Sequence, residues 1–167
     1  MLNKTDFENI IWDFMFTYRQ FLLNGYLHKR VKYEAYGKNP ATWNTLLLGL
    51  EVGTVLGLAK LLERNKDFGR EFDKTELNII SEKIIKIRKG FIAHNDLSKM
   101  RNRASFLKEN QLTGTDIIKI IEALKERAIQ YQQKFSTEIE VQKLFKETTQ
   151  NTIKDLDDWL KSFKVAL

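Results

Sequence analysis

The sequence predicts an all-α protein, an antiparallel bundle of about five helices. Apolar residues recur at spacings of three and four along most of the chain, which is the helical period. No segment alternates apolar and polar residues as a half-buried strand does, and 43% of the 167 residues are hydrophobic, enough for a core. Because one domain usually takes roughly 100–200 residues, we expect residues 1–167 to form a single domain.

Two long helices are predicted in the first part of the chain. The first carries an apolar stripe and ends or bends near Asn24 and Gly25; the stripe comprises Phe7, Ile10, Ile11, Phe14, Tyr18, Phe21 and Leu22. The second begins at Pro40, with Asn39 as its N-cap, and runs to about Glu63. Its glycines are four residues apart and line one face, where they allow another helix to approach closely; they are Gly49, Gly53 and Gly57. We expect this apolar helix to be the most buried element.

Three further helices follow. The third, the motif helix, covers about residues 75–95 and has the apolar stripe Leu77, Ile80, Ile84, Ile87 and Phe91. Residues 99–113 show no sustained period and are predicted to be a loop. The fourth helix starts near Thr113 or Thr115, and a break is expected at Ser136 and Thr137 before the last helix. The tryptophans lie at apolar helical positions, which favours core positions for Trp12, Trp43 and Trp159.

Composition excludes several classes of site. Without cysteine the chain has no disulfide and no thiolate metal site, and two histidines without an HExxH motif give little support to metal hydrolysis. Phosphate-loop, dinucleotide-binding and nucleophile-elbow motifs are absent, so we expect no metal and no cofactor. Residues 46–62 are apolar but contain Glu51 and Lys60 and are too short to span a bilayer. A soluble, cytoplasmic protein without a membrane partner is the expectation.

The positive charge is concentrated in one segment. The chain has a formal net charge of +6, and residues 83–108 contain eight basic residues against Asp96 alone, a local excess of +7. The remainder of the chain therefore sums to about −1. A polyanion partner is the functional interpretation of this segment, and an ordinary solvated helix face is the alternative.

The same segment contains the residues best suited to chemistry. Arg88 provides a fixed cation that can hold a phosphate, and His94, which follows it with five residues between, can exchange a proton near neutral pH. On an ideal helix these residues lie about 120° apart, on opposite shoulders of the apolar stripe. Either the helix distorts or ends near Ala93 and His94, or two copies pair across the stripe and assemble a shared site.

These residues resemble a known family. Arg88 and His94 match the R-x(4–6)-H signature of HEPN ribonuclease domains, which are helical bundles that usually dimerise. The string IRKGFIAHND, residues 87–96, resembles the abortive-infection (AbiU-type) branch, which often reads R-(N/D)-K-x-I-A-H-x-D. The apolar segment TWNTLLLGLEVGTVLGLAKLLE, residues 42–63, is similar to a helix of that branch. Lys89 stands where the family often has Asn, Asp or His.

The resemblance implies a metal-independent endoribonuclease that acts by attack of a 2′-hydroxyl on the adjacent phosphorus. His94 is expected to act as general base or acid, and Arg88 to stabilise the phosphate. Three neighbouring residues are expected to support the catalytic pair; they are Lys89, Asn95 and Asp96. The RNA backbone is expected to contact Lys86, Lys99, Arg101 and Arg103.

The biological setting follows from the same resemblance. A HEPN ribonuclease of this branch is expected to be a homodimer and the toxin of an abortive-infection or toxin–antitoxin defence system, with an antitoxin protein as a possible partner. Two alternatives stay open. One is a non-catalytic HEPN-like module that binds RNA or protein, and the other is a purely structural helical dimer.

Overall fold

The computed structural model describes residues 2–30, 39–64, 68–69, 72–92 and 103–162, and no strand occurs among them. Its helices are α1 (Lys4–Arg30), α2 (Pro40–Arg64), α3 (Thr75–Ile87), α4 (Arg103–Glu109), α5 (Gly114–Phe135) and α6 (Val141–Ser162). A π-helical segment, Arg88–Ile92, directly follows α3. Five of the helices have 13 residues or more, so the predicted all-α bundle of about five helices is confirmed.

Some predicted boundaries are confirmed and others are wrong. Helix α5 begins as expected, because Thr113 and Asp116 form a reciprocal capping box, and it ends at the predicted break, where Ser136 is left-handed with φ 46°. Helix α1 continues through Asn24, whose side-chain amide donates to the Leu47 carbonyl of α2 at 3.0 Å instead of forming a turn. The predicted loop over residues 99–113 is wrong where α4 forms.

The main core joins all five long helices around α1. Among its fully buried side chains are Phe7 and Phe14 of α1, Leu58 of α2 and Leu124 of α5. Helices α1 and α2 run antiparallel, with Asp13 paired to Lys60 at 2.7 Å near one end and Asn24 bonded to Leu47 towards the other. Helices α1 and α6 run in the same direction, as shown by Tyr18 bonding Thr149 at 3.1 Å and by ion pairs further along both helices, Arg19–Asp155 and Arg30–Asp157.

Helix α2 is not the most buried element along its whole length, so that expectation is wrong for its first half. Its buried residues all lie in the second half; they are Thr54, Val55, Leu58, Ala59, Leu61 and Leu62. The first half contributes only partly buried side chains to a small second cluster, whose buried residues among those described are Leu27 of α1 and Leu156 and Leu160 of α6. Leu48 is largely exposed.

The same helix is long and apolar enough to cross a membrane by length and composition. The qualifying stretch is Pro40–Glu63, and 33% of its most apolar window is buried. Core helices of soluble proteins pass the same test. The predicted absence of a membrane partner therefore stays a prediction.

Two tryptophans contradict the core prediction. Trp12 and Trp159 are exposed, whereas Trp43 is half-buried and meets the Trp159 ring edge-on at 6.5 Å between centroids. Apolar spacing alone placed these residues inside, but spacing does not show which turns of a helix have a neighbouring element to cover them.

Candidate functional site

The motif helix begins at Thr75 as predicted and changes its hydrogen bonding at Arg88. Ile80 and Ile84 are buried, so α3 is anchored in the core up to its last turn. The Arg88 N–H is shared between the carbonyls of Ile84 and Ile85, and the π-helical segment follows. Gly90 is buried at the centre of this segment, where glycine weakens regular helix by about 1 kcal/mol relative to alanine. Single π-helical turns are frequent at functional sites.

Two adjacent cations of the π-helical segment converge on one carboxylate of α2. Arg88 donates through Nη1 to Glu63 Oε2, and Lys89 Nζ lies 3.0 Å from Oε1 of the same carboxylate. The Lys89 contact is an ion pair without hydrogen-bond geometry, since Oε1 is buried and accepts no hydrogen bond from the described residues. The side chains of Glu63, Arg88 and Lys89 are 19%, 34% and 58% exposed. We call Glu63, Arg88 and Lys89 the cation–carboxylate cluster.

The cluster carries a net charge of +1, because two cations face one carboxylate. Upstream on the same helix, Lys86 forms an exposed ion pair with Glu82 at 3.7 Å, and Lys83 donates to the Gln111 carbonyl at 3.4 Å. The basic residues on this end of the described motif helix therefore lie on its surface, partly neutralised, where a polyanion can reach them.

The other predicted site residues lie outside the part of the chain that the structure describes, wholly or in their side chains. His94, Asn95, Asp96, Lys99 and Arg101 lie outside the described residues. Arg103 opens α4, but its side chain also lies outside the description. The structure thus brings together Arg88 and Lys89, and the convergence of Arg88 with His94 stays a prediction.

A groove of about 530 Å³ lies beside the end of α3. Its lining is mainly apolar and includes Ile87, Val52 and Val55, together with the polar residues His28 and Glu51. His28 is exposed. Among the described ranges no group of three or more acidic, histidine or cysteine residues is arranged to hold a metal ion.

Sequence reasoning missed Glu63 as a member of the site. The sequence-based prediction gave it no role beyond the end of the second helix. A signal was present, because Glu51 and Glu63 are the only acidic residues of the otherwise apolar α2. An acid at the end of an apolar helix is expected to find a cation, but the sequence does not show which of the chain's 28 lysines and arginines is in reach.

No family model, curated protein or solved structure matches this chain significantly. The HEPN interpretation therefore stays a prediction from the residues quoted above.

Proposed function

We propose that the protein is a metal-independent endoribonuclease of the HEPN type in which Arg88 and His94 act on one phosphodiester. The observation that carries this proposal is the cation–carboxylate cluster. Arg88 lies on a distorted helical turn, remains one-third exposed and already holds an anion through one end of its guanidinium. Arginine binds carboxylate and phosphate through the same planar donors, so this geometry suits a phosphodiester.

In the proposed reaction the RNA supplies its own nucleophile. The 2′-oxygen forms a bond to the adjacent phosphorus, its proton passes to a base, and the bond from phosphorus to the 5′-oxygen breaks as that oxygen takes up a proton. His94 acts in one or both proton transfers, since a histidine pKa of about 6.5 suits both directions near neutral pH. Arg88 stabilises the charge that develops on the phosphate. The products are a cyclic 2′,3′-phosphate and a 5′-hydroxyl.

The remaining residues contribute affinity and orientation in this proposal. Lys89, Asn95 and Asp96 support the scissile nucleotide and His94. The RNA backbone is contacted by the basic residues Lys86, Lys99, Arg101 and Arg103. These contacts contribute affinity through charge and carry no sequence specificity. We place the enzyme in the cytoplasm as a homodimeric toxin of a defence system, with an antitoxin as possible partner.

The test is cleavage of labelled RNA in the presence of a metal chelator. Wild-type protein should yield fragments that end in a cyclic phosphate, and His94→Ala should yield none. A matched control is His28→Ala, which removes the other histidine outside the proposed site. If the wild type and His94→Ala leave RNA equally intact under all conditions, including after removal of any co-purifying partner, the enzyme proposal is wrong.

A non-catalytic HEPN-like module that binds RNA or protein is the second candidate. The pairing of both Arg88 and Lys89 with Glu63 favours it, because a neutralised arginine stabilises a transition state less well. RNA binding that weakens steeply with salt, without cleavage, is the result expected for an RNA-binding module.

A further inference from the structure

We propose that Glu63 is an intramolecular competitor of the RNA phosphate: its carboxylate occupies the anion position between Arg88 and Lys89, and RNA must displace it. This inference rests on the proposed function, since it concerns the same two cations. It adds a residue from a different helix, and it assigns to that residue a restraining effect on RNA binding.

The geometry supports competition at one position. Glu63 projects from the end of α2 and is held from two sides, by Arg88 Nη1 at Oε2 and by Lys89 Nζ at Oε1. At 19% exposure it is the most enclosed member, while Arg88 and Lys89 retain 34% and 58%. An incoming phosphate therefore reaches the exposed parts of Arg88 and Lys89 first, and it must displace the Glu63 carboxylate to bind between them.

The charges determine the direction of the effect. With Glu63 ionised the cluster offers a phosphate one net positive charge, and without that charge it offers two. The carboxylate also holds one donor of the Arg88 fork, which limits bidentate binding of a phosphate. Attraction between the cations and a phosphate should therefore increase when the Glu63 charge is removed.

The decisive variant is Glu63→Gln, which keeps the size of the side chain and removes its charge. The probe is a short single-stranded 2′-O-methyl oligonucleotide, which has no free 2′-hydroxyl and cannot be cut by the proposed reaction. Fluorescence anisotropy should show about threefold to tenfold tighter binding than wild type at low salt. The slope of log affinity against log salt should steepen by about 0.7 if one more phosphate is engaged.

Two controls separate this effect from a general change in charge. Glu82→Gln makes the same substitution on α3, where among the described residues Glu82 pairs with the exposed Lys86, and should tighten binding less. In a chain that carries Arg88→Gln and Lys89→Gln, the further change Glu63→Gln should alter affinity little, because the cations it would release are gone.

The outcomes distinguish this inference from the proposed function. Equal or weaker binding by Glu63→Gln, in a protein that cuts RNA, overturns the competitor and leaves the enzyme proposal standing. No binding of the oligonucleotide by either chain at low salt overturns the competitor inference, whereas the enzyme proposal is judged by the cleavage assay. If Glu63→Gln does not fold, Glu63→Asp withdraws the carboxylate by one methylene and should also tighten binding; unchanged or weaker binding by that variant overturns the competitor equally.

Discussion

Gly57 of α2 lies directly against Thr17 of α1 where the two helices cross. A Cβ atom at position 57 would collide with Thr17 Oγ1 and lie 2.8 Å from Cγ2 and 2.9 Å from Cβ. Thr17 cannot move aside easily, because it is β-branched, buried, and donates to the Asp13 carbonyl at 2.9 Å. The sequence-based expectation of a close helix approach is therefore confirmed at this glycine.

Gly57→Ala should destabilise the fold. Overpacking costs about 1–3 kcal/mol, and the better helix propensity of alanine recovers only about 1 kcal/mol of that. Chemical denaturation should show a lower free energy of unfolding with an unchanged dependence on denaturant.

Two other glycines of α2 serve as controls for this substitution. A Cβ atom added at Gly49 would meet none of the described residues within 4 Å, so Gly49→Ala should stabilise by up to about 1 kcal/mol. The three atoms nearest to a Cβ at Gly53 belong to the flexible end of Gln20, at 2.6–2.8 Å, so Gly53→Ala should fall between the two. A Gly57→Ala variant as stable as Gly49→Ala would contradict this close crossing of α1 and α2.

The capping box of α5 should contribute measurably to stability. Thr113→Ala removes the acceptor for the Asp116 N–H, a hydrogen bond of 3.1 Å, and should cost about 0.5–2 kcal/mol. Thermal or chemical unfolding measures this loss. Thr115→Ala is the matched control, because Thr115 is exposed in the same turn and should lose nothing.

The same box should make stability depend on pH in the acidic range. The backbone N–H of Thr113, which donates to Asp116 at 2.8 Å, lowers the pKa of this carboxyl from its usual 3.8. A lowered folded-state pKa stabilises the protein above the unfolded value, and this contribution disappears as pH falls through the folded-state pKa. The difference in unfolding free energy between wild type and Asp116→Ala should be present at neutral pH and shrink below about pH 4. A difference that stays constant down to strongly acidic pH would exclude the carboxylate as its source.

Arg88→Lys should not behave as a conservative substitution. Lysine keeps the charge but lacks the planar fork, so we expect cleavage to fall about 100-fold while affinity for the uncleavable oligonucleotide changes little. Single-turnover cleavage and anisotropy measure the two quantities separately. Lys86→Ala provides the contrast, with weaker binding, a shallower salt dependence and an unchanged rate for bound RNA. Full activity of Arg88→Lys would argue against a role of the guanidinium in the reaction.

Dimerisation and a shared site can be tested together. Light scattering should give twice the mass of the chain. If Arg88 of one protomer acts with His94 of its partner, mixing inactive Arg88→Ala and His94→Ala chains should restore about a quarter of wild-type activity, since half of the dimers are mixed and each has one intact site. A monomeric mass at working concentration, or a mixture that remains inactive although the chains exchange, would contradict a shared site.

Much of the helical framework was predictable because it depends on local periodicity and capping. The start of α3 at Thr75, the cap at Thr113 and the break at Ser136 follow from neighbouring residues. The predictions of burial were wrong where burial depends on packing between distant parts of the chain, as for Trp12 and for the first half of α2. Helix α4 was missed because its seven residues are too few to show a period.

The candidate site also contains one residue that the sequence predicted and one that only the packing of the helices reveals. Arg88 was singled out from the sequence because the chemistry of arginine and its spacing to His94 are properties of the chain itself. Glu63 lies 25 residues earlier in another helix, and only the packing of α2 beside the end of α3 brings its carboxylate to Arg88 and Lys89. The sequence by itself therefore determined the long helices and the choice of Arg88 as the candidate cation, because both depend on neighbours along the chain. The tertiary structure alone decided which anion that cation holds, because a charge pairs with whatever the fold places within a few ångströms.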